Sequence, residues 1–375
     1  MGMKNATVFL KRILLENYKN VKKGEIPLVR KDESGACIAG IYGQNGSGKT
    51  AIIDALGLLK NCLRGDPLEP KVGNAFALCI NVDSESARLE FEFAIENNDN
   101  ETSYKVVYGF SIKKDNSDNS TKLVIYNEKL SYSSKGKDTA TKFVDYIDTD
   151  SDTPFVPKAK YDSLIGKDKT KKTNLLVAKK MAEANIASFI FSKEMHEAIL
   201  PGETRSILER LTQYAENELF VIRAAYSGRI NLNEMPLYIS IGQNENSRTV
   251  SLLIPLNNSG VVHSDILQNI KVAINSINIV LPQIIPYLKV GLKILGKELM
   301  PDGSMGHIVQ LTSCKEGHEF PLAMESDGIK KIISILSLLI NVYNNHSTTV
   351  AIDELDSGIF EYLLGEILRV ISEKG

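Results

Sequence analysis

Residues 43–50 of the chain read G-Q-N-G-S-G-K-T, a run of residue types suited to binding the phosphates of a nucleotide. The run fits the G-x-x-x-x-G-K-[ST] pattern of phosphate-binding loops. Its glycines let the backbone turn tightly and bring its N–H groups against phosphate oxygens. Lys49 can then reach the β- and γ-phosphates, and the Thr50 hydroxyl can hold Mg²⁺. The spacing therefore predicts a nucleoside triphosphate site.

The segments that flank this loop predict a strand before it and a helix after it. Residues 36–42 (A-C-I-A-G-I-Y) are apolar and predict a buried strand. Residues 51–56 predict a helix whose N-terminus adds a favourable partial charge. A chance glycine-rich turn is the alternative, and both flanks argue against it. The predicted nucleotide contacts are Gly43, Gln44, Asn45, Gly46, Ser47, Gly48, Lys49, Thr50 and Ala51.

A pair of acidic residues far along the chain predicts the second half of such a site. Residues 348–352 (T-T-V-A-I) are β-branched and apolar and predict a buried strand, which ends in Asp353 and Glu354. Open α/β sheets place ligand chemistry at the carboxyl ends of their strands. Asp353 would bind Mg²⁺, and Glu354 would orient and polarise the water that attacks the γ-phosphate. Taken alone, the pattern also fits a helix cap or a solvated corner.

A third segment, residues 325–331 (E-S-D-G-I-K-K), precedes an apolar helix predicted over residues 332–342. Ser326 and Gly328 form a Ser-x-Gly at the helix start, which offers a hydroxyl, free N–H groups and the helix dipole to an anion. The alternative is an ordinary N-cap in which Ser326 or Asp327 caps the helix and nothing binds. The residues alone leave both interpretations open.

Between these motifs the pattern changes from strand-like to helical. Alternation over residues 89–95, 104–112 and 123–126 predicts an antiparallel sheet, with turns at 97–100 and 115–119. Apolar residues at three- and four-residue steps predict helices over 175–184, 191–199 and 204–220. The lysine-rich run 167–172 predicts a solvated loop, with an arm that faces DNA or a partner as the alternative.

Composition restricts the class of protein only loosely. The 375 residues are 43% hydrophobic and carry a net charge of −2, which argues against wholesale coating of nucleic acid. The four cysteines form no C-x-x-C pair and the five histidines are scattered, so the sequence favours neither a zinc site nor a disulfide framework. The sequence shows no signal peptide, and no apolar run reaches the ~20 residues of a membrane span. We expect a cytoplasmic protein that does not bind a membrane.

The order of the motifs, together with the opening run F-L-K-R-I-L-L-E-N-Y-K-N-V at residues 9–21, resembles a known family. The chain resembles ABC-type ATPases of the SMC/RecF/OLD group, especially the stand-alone ATPases of bacterial anti-phage defence systems. The resemblance implies an α/β fold, a P-loop ABC-type head with a mixed sheet, an antiparallel β lobe and a helical insertion. It predicts an N-terminal ATPase lobe at 1–138, a mainly helical insertion or arm at 139–235 and a C-terminal lobe at 236–375.

The resemblance also implies a mode of action. In this family two heads sandwich two ATP molecules, so Ser326 and Gly328 would act in trans on the γ-phosphate held by the other head. Asp356 and Ser357 would lie at the dimer seam, and Lys49 would neutralise developing charge. The implied cofactors are ATP and Mg²⁺. The implied partners are a second copy in a homodimer or higher oligomer, an effector such as a nuclease or toxin, and DNA as a possible ligand.

Some features depart from the family pattern. The segment 356–361 (D-S-G-I-F-E) replaces the usual Leu-His-Pro, and neither the switch histidine nor a toprim domain follows, so we expect a longer natural protein. Gln213 and Gln243 are the candidates for the Q-loop glutamine. The alternatives are a DNA-repair ATPase of RecF/SMC type and a slowly hydrolysing, ATP-bound scaffold. A subunit of a transporter fits less well, because the N-Y-K-N opening and the E-S-D-G signature of this chain look unlike those of transport heads.

Overall fold

The computed structural model describes residues 3, 6–29, 38–67, 79–97, 101–115, 122–150, 158–223, 234–241, 248–256 and 259–372. The chain forms two compact units, Met1–Leu219 and Phe220–Gly375. Cys37, Gln243 and much of the two predicted turns lie outside the described residues. The three-part division of the chain stays a prediction.

The first unit contains a six-stranded antiparallel sheet among its described residues. Its strand order is β2-β1-β3-β4-β5-β6. Along β3, residues alternate between buried and half-buried, because successive side chains point to opposite faces of a sheet. The three strands that alternation predicts are confirmed as β3, β4 and β5, each longer than the predicted run. The bounds are β1 (Thr7–Tyr18), β2 (Val21–Pro27), β3 (Ser86–Asn97), β4 (Thr102–Asp115), β5 (Lys122–Lys135) and β6 (Val144–Asp148).

The helices of the first unit confirm those predicted over 175–184 and 191–199, and most of the one over 204–220. The last prediction is wrong at its end, because the helix stops at Asn217 and a strand begins at Leu219. The helices are α1 (Lys49–Arg64), α2 (Lys158–Ile165), α3 (Lys169–Ala184), α4 (Lys193–Ala198) and α5 (Glu203–Asn217). The prediction of a loop at the lysine-rich run is wrong, because Asp168 caps α3 and the lysines form its first turn. The Asp168 carboxylate accepts from the backbone N–H of Thr170 at 2.8 Å. This cap stabilises the first turn, although the positive charges of its lysines are unfavourable at a helix N-terminus.

Aromatic side chains join the sheet to the helical segments of the first unit. Phe93 on β3 meets Tyr214 on α5 edge to face, with ring centroids 6.0 Å apart. Tyr108 on β4 meets Phe191, just before α4, at 5.1 Å in the same geometry. All four side chains are buried, so their large apolar areas are removed from water. These helical segments therefore pack against one face of the sheet.

A buried carboxylate lies within this core. Glu128 follows Asn127, whose φ of 50° falls at an irregularity in the pairing of β4 with β5. One carboxylate oxygen of Glu128 accepts from the hydroxyls of Tyr108 at 2.7 Å and Ser188 at 2.6 Å, and the other accepts from the Phe189 N–H at 2.7 Å. The hydrogen bonds to Ser188 and Phe189 connect the turn before α4 to the sheet. Burial raises the pKa of Glu128, although its hydrogen bonds oppose that shift.

Glu128 gives a pH-dependent prediction about stability. Because its folded-state pKa is raised, its contribution to stability is fully present below the ordinary value of 4.5 and is lost as pH rises through the folded-state pKa. We expect the unfolding free energy of the wild type to fall over that window, and that of Glu128→Gln to fall less. Glu128→Ala should cost about 3 kcal/mol, because buried donors lose their acceptor.

Denaturant unfolding followed by circular dichroism, repeated at several pH values, measures both effects. Glu197→Gln is the matched control, since the Glu197 side chain is 69% exposed on α4. If the unfolding free energies of the wild type and Glu128→Gln change equally with pH, the buried carboxylate does not lower stability as it loses its proton.

The second unit combines short sheets with three α-helices among its described residues. β12 pairs antiparallel with β10, β11 and β13, β8 pairs with β9, and β14 pairs with β7 at the start of the unit. The strands are β7 (Leu219–Ile222), β8 (Glu234–Ile241), β9 (Arg248–Pro255), β10 (Gly260–His263), β11 (Leu288–Leu299), β12 (Met305–Lys315), β13 (His318–Pro321) and β14 (Thr349–Ile352). The helices are α6 (Ser264–Ile284), α7 (Asp327–Asn344) and α8 (Glu361–Ser372).

The core of the second unit is one aliphatic cluster around α6 and α7. On α6, residues Ile270, Ile274, Ile277 and Leu281 are buried at three- and four-residue steps, which places them on one face of the helix. The helix predicted over residues 332–342 is confirmed within α7, whose isoleucines and leucines join the same cluster. Among the described residues, no helix has the length and apolar character to cross a membrane.

Candidate functional site

The predicted phosphate-binding loop lies at the N-terminus of α1. Gly46 and Gly48 have φ of 85° and 97°, a region that favours glycine, and Gly48 is the N-cap of the helix. No side chain caps α1, and its first turn contains no acidic residue. The first N–H groups of the helix are therefore free of a competing side-chain acceptor, which is the arrangement that an anion requires. The helix predicted after the loop is confirmed.

The strand predicted before the loop is wrong for residues 38–42, and residues 36–37 lie outside the described part of the chain. Residues 38–42 have no regular secondary structure, and Tyr42 is 91% exposed. An extended segment becomes a strand only when a neighbouring strand pairs with its backbone groups. The described sheet of the first unit includes no strand from this segment. Apolar composition alone therefore misled the prediction.

The Lys49 ammonium group folds back onto the loop. Its Nζ donates to the carbonyl oxygens of Gly43 at 2.6 Å and Gln44 at 3.0 Å, both at exposed positions. An added Cβ on Gly43 would lie 2.6 Å from the Ser47 hydroxyl, so any side chain there would require Ser47 to shift. The lysine thus joins the two ends of the loop and places a positive charge against its backbone. Phosphate oxygens are stronger acceptors for this charge than carbonyl groups are.

The turn between β1 and β2 supports the loop from one side. The Asn20 side-chain amide donates to the Gly46 carbonyl, and Lys19 forms an ion pair with Asp54 on α1. An added Cβ on Gly48 would meet Val21 at 2.6 Å. In the sequence, this N-Y-K-N turn was noted only as part of the family resemblance, and no contact was predicted for it. Its contacts with the loop are the functional feature that sequence reasoning missed in this unit.

The acidic pair follows β14, as predicted, although the strand is half-buried rather than buried. The Asp353 N–H donates to the Ile222 carbonyl at 2.9 Å, which extends the pairing beside β7. Asp353 is half-buried, and Glu354 is exposed with a φ of 50°. This φ is unusual for a residue other than glycine, and such strain clusters at functional positions.

Ser326 and Gly328 both have local roles at the start of α7. Ser326 is exposed, and its hydroxyl accepts weakly from the Ile329 N–H at 3.4 Å, as an N-cap would. Gly328 must be glycine, because an added Cβ would lie 2.2 Å from the Gly358 carbonyl. The buried Glu325 anchors the segment by pairing with Lys315 at 2.8 Å. The N-cap interpretation therefore holds for the isolated chain, and action in trans stays a prediction.

The candidates for holding Mg²⁺ are Thr50, exposed in the first turn of α1, and Asp353 after β14. Among the described residues, no cluster of three His, Cys, Asp or Glu side chains could hold a metal ion. Mg²⁺ usually keeps several waters and binds through one or two protein groups plus substrate phosphates. A hydroxyl beside an uncapped helix N-terminus fits that type of site. Gln213 lies half-buried on α5, and its Q-loop assignment stays a prediction.

A separate hollow of about 480 Å³ opens on the charged face of the first unit's sheet. Arg12 pairs there with Glu90 at 2.6 Å and Glu92 at 3.2 Å, and Lys129 pairs with Asp145 at 3.1 Å. Because these cations already have carboxylate partners, the hollow presents no unpaired charge that would select an anion. The phosphate loop, not this hollow, is the candidate site.

Solved structures that are similar to this chain include two of very low sequence identity. One is an Smc head domain with an extended coiled coil, bound to the C-terminal domain of ScpA and derived from Pyrococcus furiosus. It is 14% identical with a TM-score of 0.41, and the match covers 98% of this chain and 87% of that one. The other is the recombination mediator protein RecF with ATP, at 15% identity, a TM-score of 0.38, and coverage of 98% and 91%. Scores this low support no argument about this chain.

No curated protein matches the chain. A family described as "AAA domain, putative AbiEii toxin, Type IV TA system" matches residues 38–359, which include the phosphate-binding loop, the Ser-x-Gly segment and the acidic pair. Because this match spans most of the sequence, the chain belongs to that AAA-domain family.

Proposed function

We propose that the chain binds and hydrolyses ATP as an ABC/SMC-like ATPase whose dimerisation is gated by ATP. The observation that carries the proposal is the phosphate loop: an uncapped helix N-terminus, two glycines at positive φ and the Lys49 ammonium directed into the loop. Membership of an AAA-domain family supports the same class of ligand. The features of the loop favour an anionic ligand, and the family match favours a nucleotide phosphate among such ligands.

The chain's own residues have distinct roles in this proposal. Backbone N–H groups of the loop bind the phosphates, and Lys49 neutralises charge as the terminal phosphate is transferred. Thr50 and Asp353 would hold Mg²⁺, which supplies further charge neutralisation when it is bound. Glu354 orients the attacking water and accepts its proton. Ser326 and Gly328 contact the terminal phosphate bound by a second copy.

The proposed output is control of an effector in a toxin or anti-phage defence system. Its support is the family description, which names a toxin of a type IV toxin–antitoxin system. A site that needs a second copy for completion makes ATP binding and dimerisation interdependent, which is the property of a switch. We therefore infer that ATP-driven association is the signal passed to a nuclease or toxin partner.

The molar mass of the purified protein, measured by light scattering with and without ATP and Mg²⁺, tests the switch. We expect the mass to double with ATP, and Ser326→Arg to bind ATP normally yet remain a monomer. Ser163→Arg is the matched control, since Ser163 is exposed on α2 and lies outside the proposed site. A normal ATP-dependent dimer of Ser326→Arg would refute action in trans.

A further inference from the structure

A buried lysine joins α7 to the segment that carries Glu354. The Lys331 side chain lies on the first turns of α7, and the residue is only 7% exposed. Its Nζ donates to the carbonyl oxygens of Glu354 and Ser357, each at 2.7 Å. Both acceptors belong to the turn that follows β14. A buried ammonium group is costly unless it is hydrogen-bonded, so this lysine is held firmly between helix and turn.

The turn that Lys331 holds is strained at the residue proposed to activate water. A non-glycine residue at a φ near 50° costs roughly 1–2 kcal/mol and persists only where its surroundings impose it. Glu354 has this conformation, and its carbonyl accepts from both the Ser357 N–H at 3.1 Å and Lys331. That backbone conformation sets the direction of the Cα–Cβ bond of Glu354, from which its carboxylate extends.

Close packing reinforces the same contact. The Cα of Gly328 approaches the Gly358 carbonyl so closely that a Cβ would lie 2.2 Å from it. Burial lowers the pKa of Lys331, and the neighbouring Asp356 and Glu354 charges oppose that shift. The start of α7 and the turn 354–358 are therefore joined by the two Lys331 hydrogen bonds and by this close approach.

We propose that Lys331 is a positioning residue, which fixes the backbone of Glu354 so that its carboxylate is aligned for water activation. The proposal rests on the ATPase function proposed above. It predicts a defect in the rate of hydrolysis without a defect in ATP binding, because Lys331 contacts carbonyl groups of its own chain rather than the loop that binds phosphates.

Lys331→Met tests the proposal, since methionine fills similar volume without donors. We expect kcat to fall by about tenfold or more with KM and ATP affinity little changed, because misplacement of a catalytic group lowers rate steeply. Hydrogen–deuterium exchange of the nucleotide-free protein should show faster exchange at the amides of residues 354–358. Lys331→Arg retains charge and donors, and should recover part of the rate.

The matched control for exchange is Lys330→Met. Lys330 is equally buried on the same helix but pairs with Asp327 at 3.0 Å, so its loss should leave exchange at 354–358 unchanged. A wild-type kcat for Lys331→Met would overturn the positioning role, as would equal exchange changes in both variants. Absence of ATP turnover in the wild-type protein would instead refute the proposed function, and exchange would still show whether Lys331 orders the turn.

Discussion

We expect Lys49→Ala to weaken ATP binding by at least about 100-fold, or about 3 kcal/mol, because charge-assisted hydrogen bonds to phosphate are lost. In the structure the Lys49 ammonium donates to the carbonyls of Gly43 and Gln44, the first two residues of the loop. Alanine removes the one side chain of the loop that carries positive charge. Titration calorimetry with ATP and Mg²⁺ measures the affinity directly.

The control for this measurement is Lys22→Ala. The Lys22 side chain is 79% exposed on β2 and lies 3.6 Å from Asp83, so the variant removes the same charge from the same unit without touching the loop. Its ATP affinity should equal that of the wild type. If Lys49→Ala binds ATP with wild-type affinity, residues 43–50 are not the nucleotide site.

Glu354→Gln should keep ATP bound while lowering turnover by about 100-fold or more, the scale on which general bases contribute. The amide has the shape of the carboxylate but cannot accept a proton from water. Because hydrolysis no longer empties the site, the ATP-bound dimer should accumulate and survive gel filtration. Phosphate release and molar mass, measured on the same preparation, report both effects.

Glu361→Gln provides the comparison for that variant. Glu361 is an exposed residue in the first turn of α8, and the same chemical change there leaves the turn after β14 intact. We expect wild-type turnover and no trapped dimer. Hydrolysis by Glu354→Gln at the wild-type rate would mean that another group activates the water.

Local patterns in the sequence predicted the elements whose stability is local. The period-two alternation of β3 and β4, and the three- and four-residue steps of α3 and α5, were sufficient because one face of each element is buried. The glycines of the phosphate loop were recognised because their conformations restrict residue type in any context.

The features that were missed or mistaken depend on contacts between distant segments. Residues 38–42 have strand-like composition, but pairing with another strand cannot be read from composition. The Asn20 amide binds the carbonyl of Gly46, 26 residues away. The Lys331 ammonium binds the carbonyl of Glu354, 23 residues away. Nothing in the local sequence distinguishes these polar residues from ordinary surface ones. The lysine run is the exception, since the contact that makes it helical is local: Asp168 caps the first turn of α3.

The buried Glu128 also constrains the order in which the first unit folds. Its backbone belongs to β5, whereas Ser188 and Phe189, two of its hydrogen-bond donors, come from a turn 60 and 61 residues later. The β4–β5 hairpin can form early from local contacts, but its carboxylate then faces water until the helical segment arrives. Docking of that segment and dehydration of the carboxylate are therefore a single late event. The interior around Glu128 closes only after this contact between the strand and the later turn has been made.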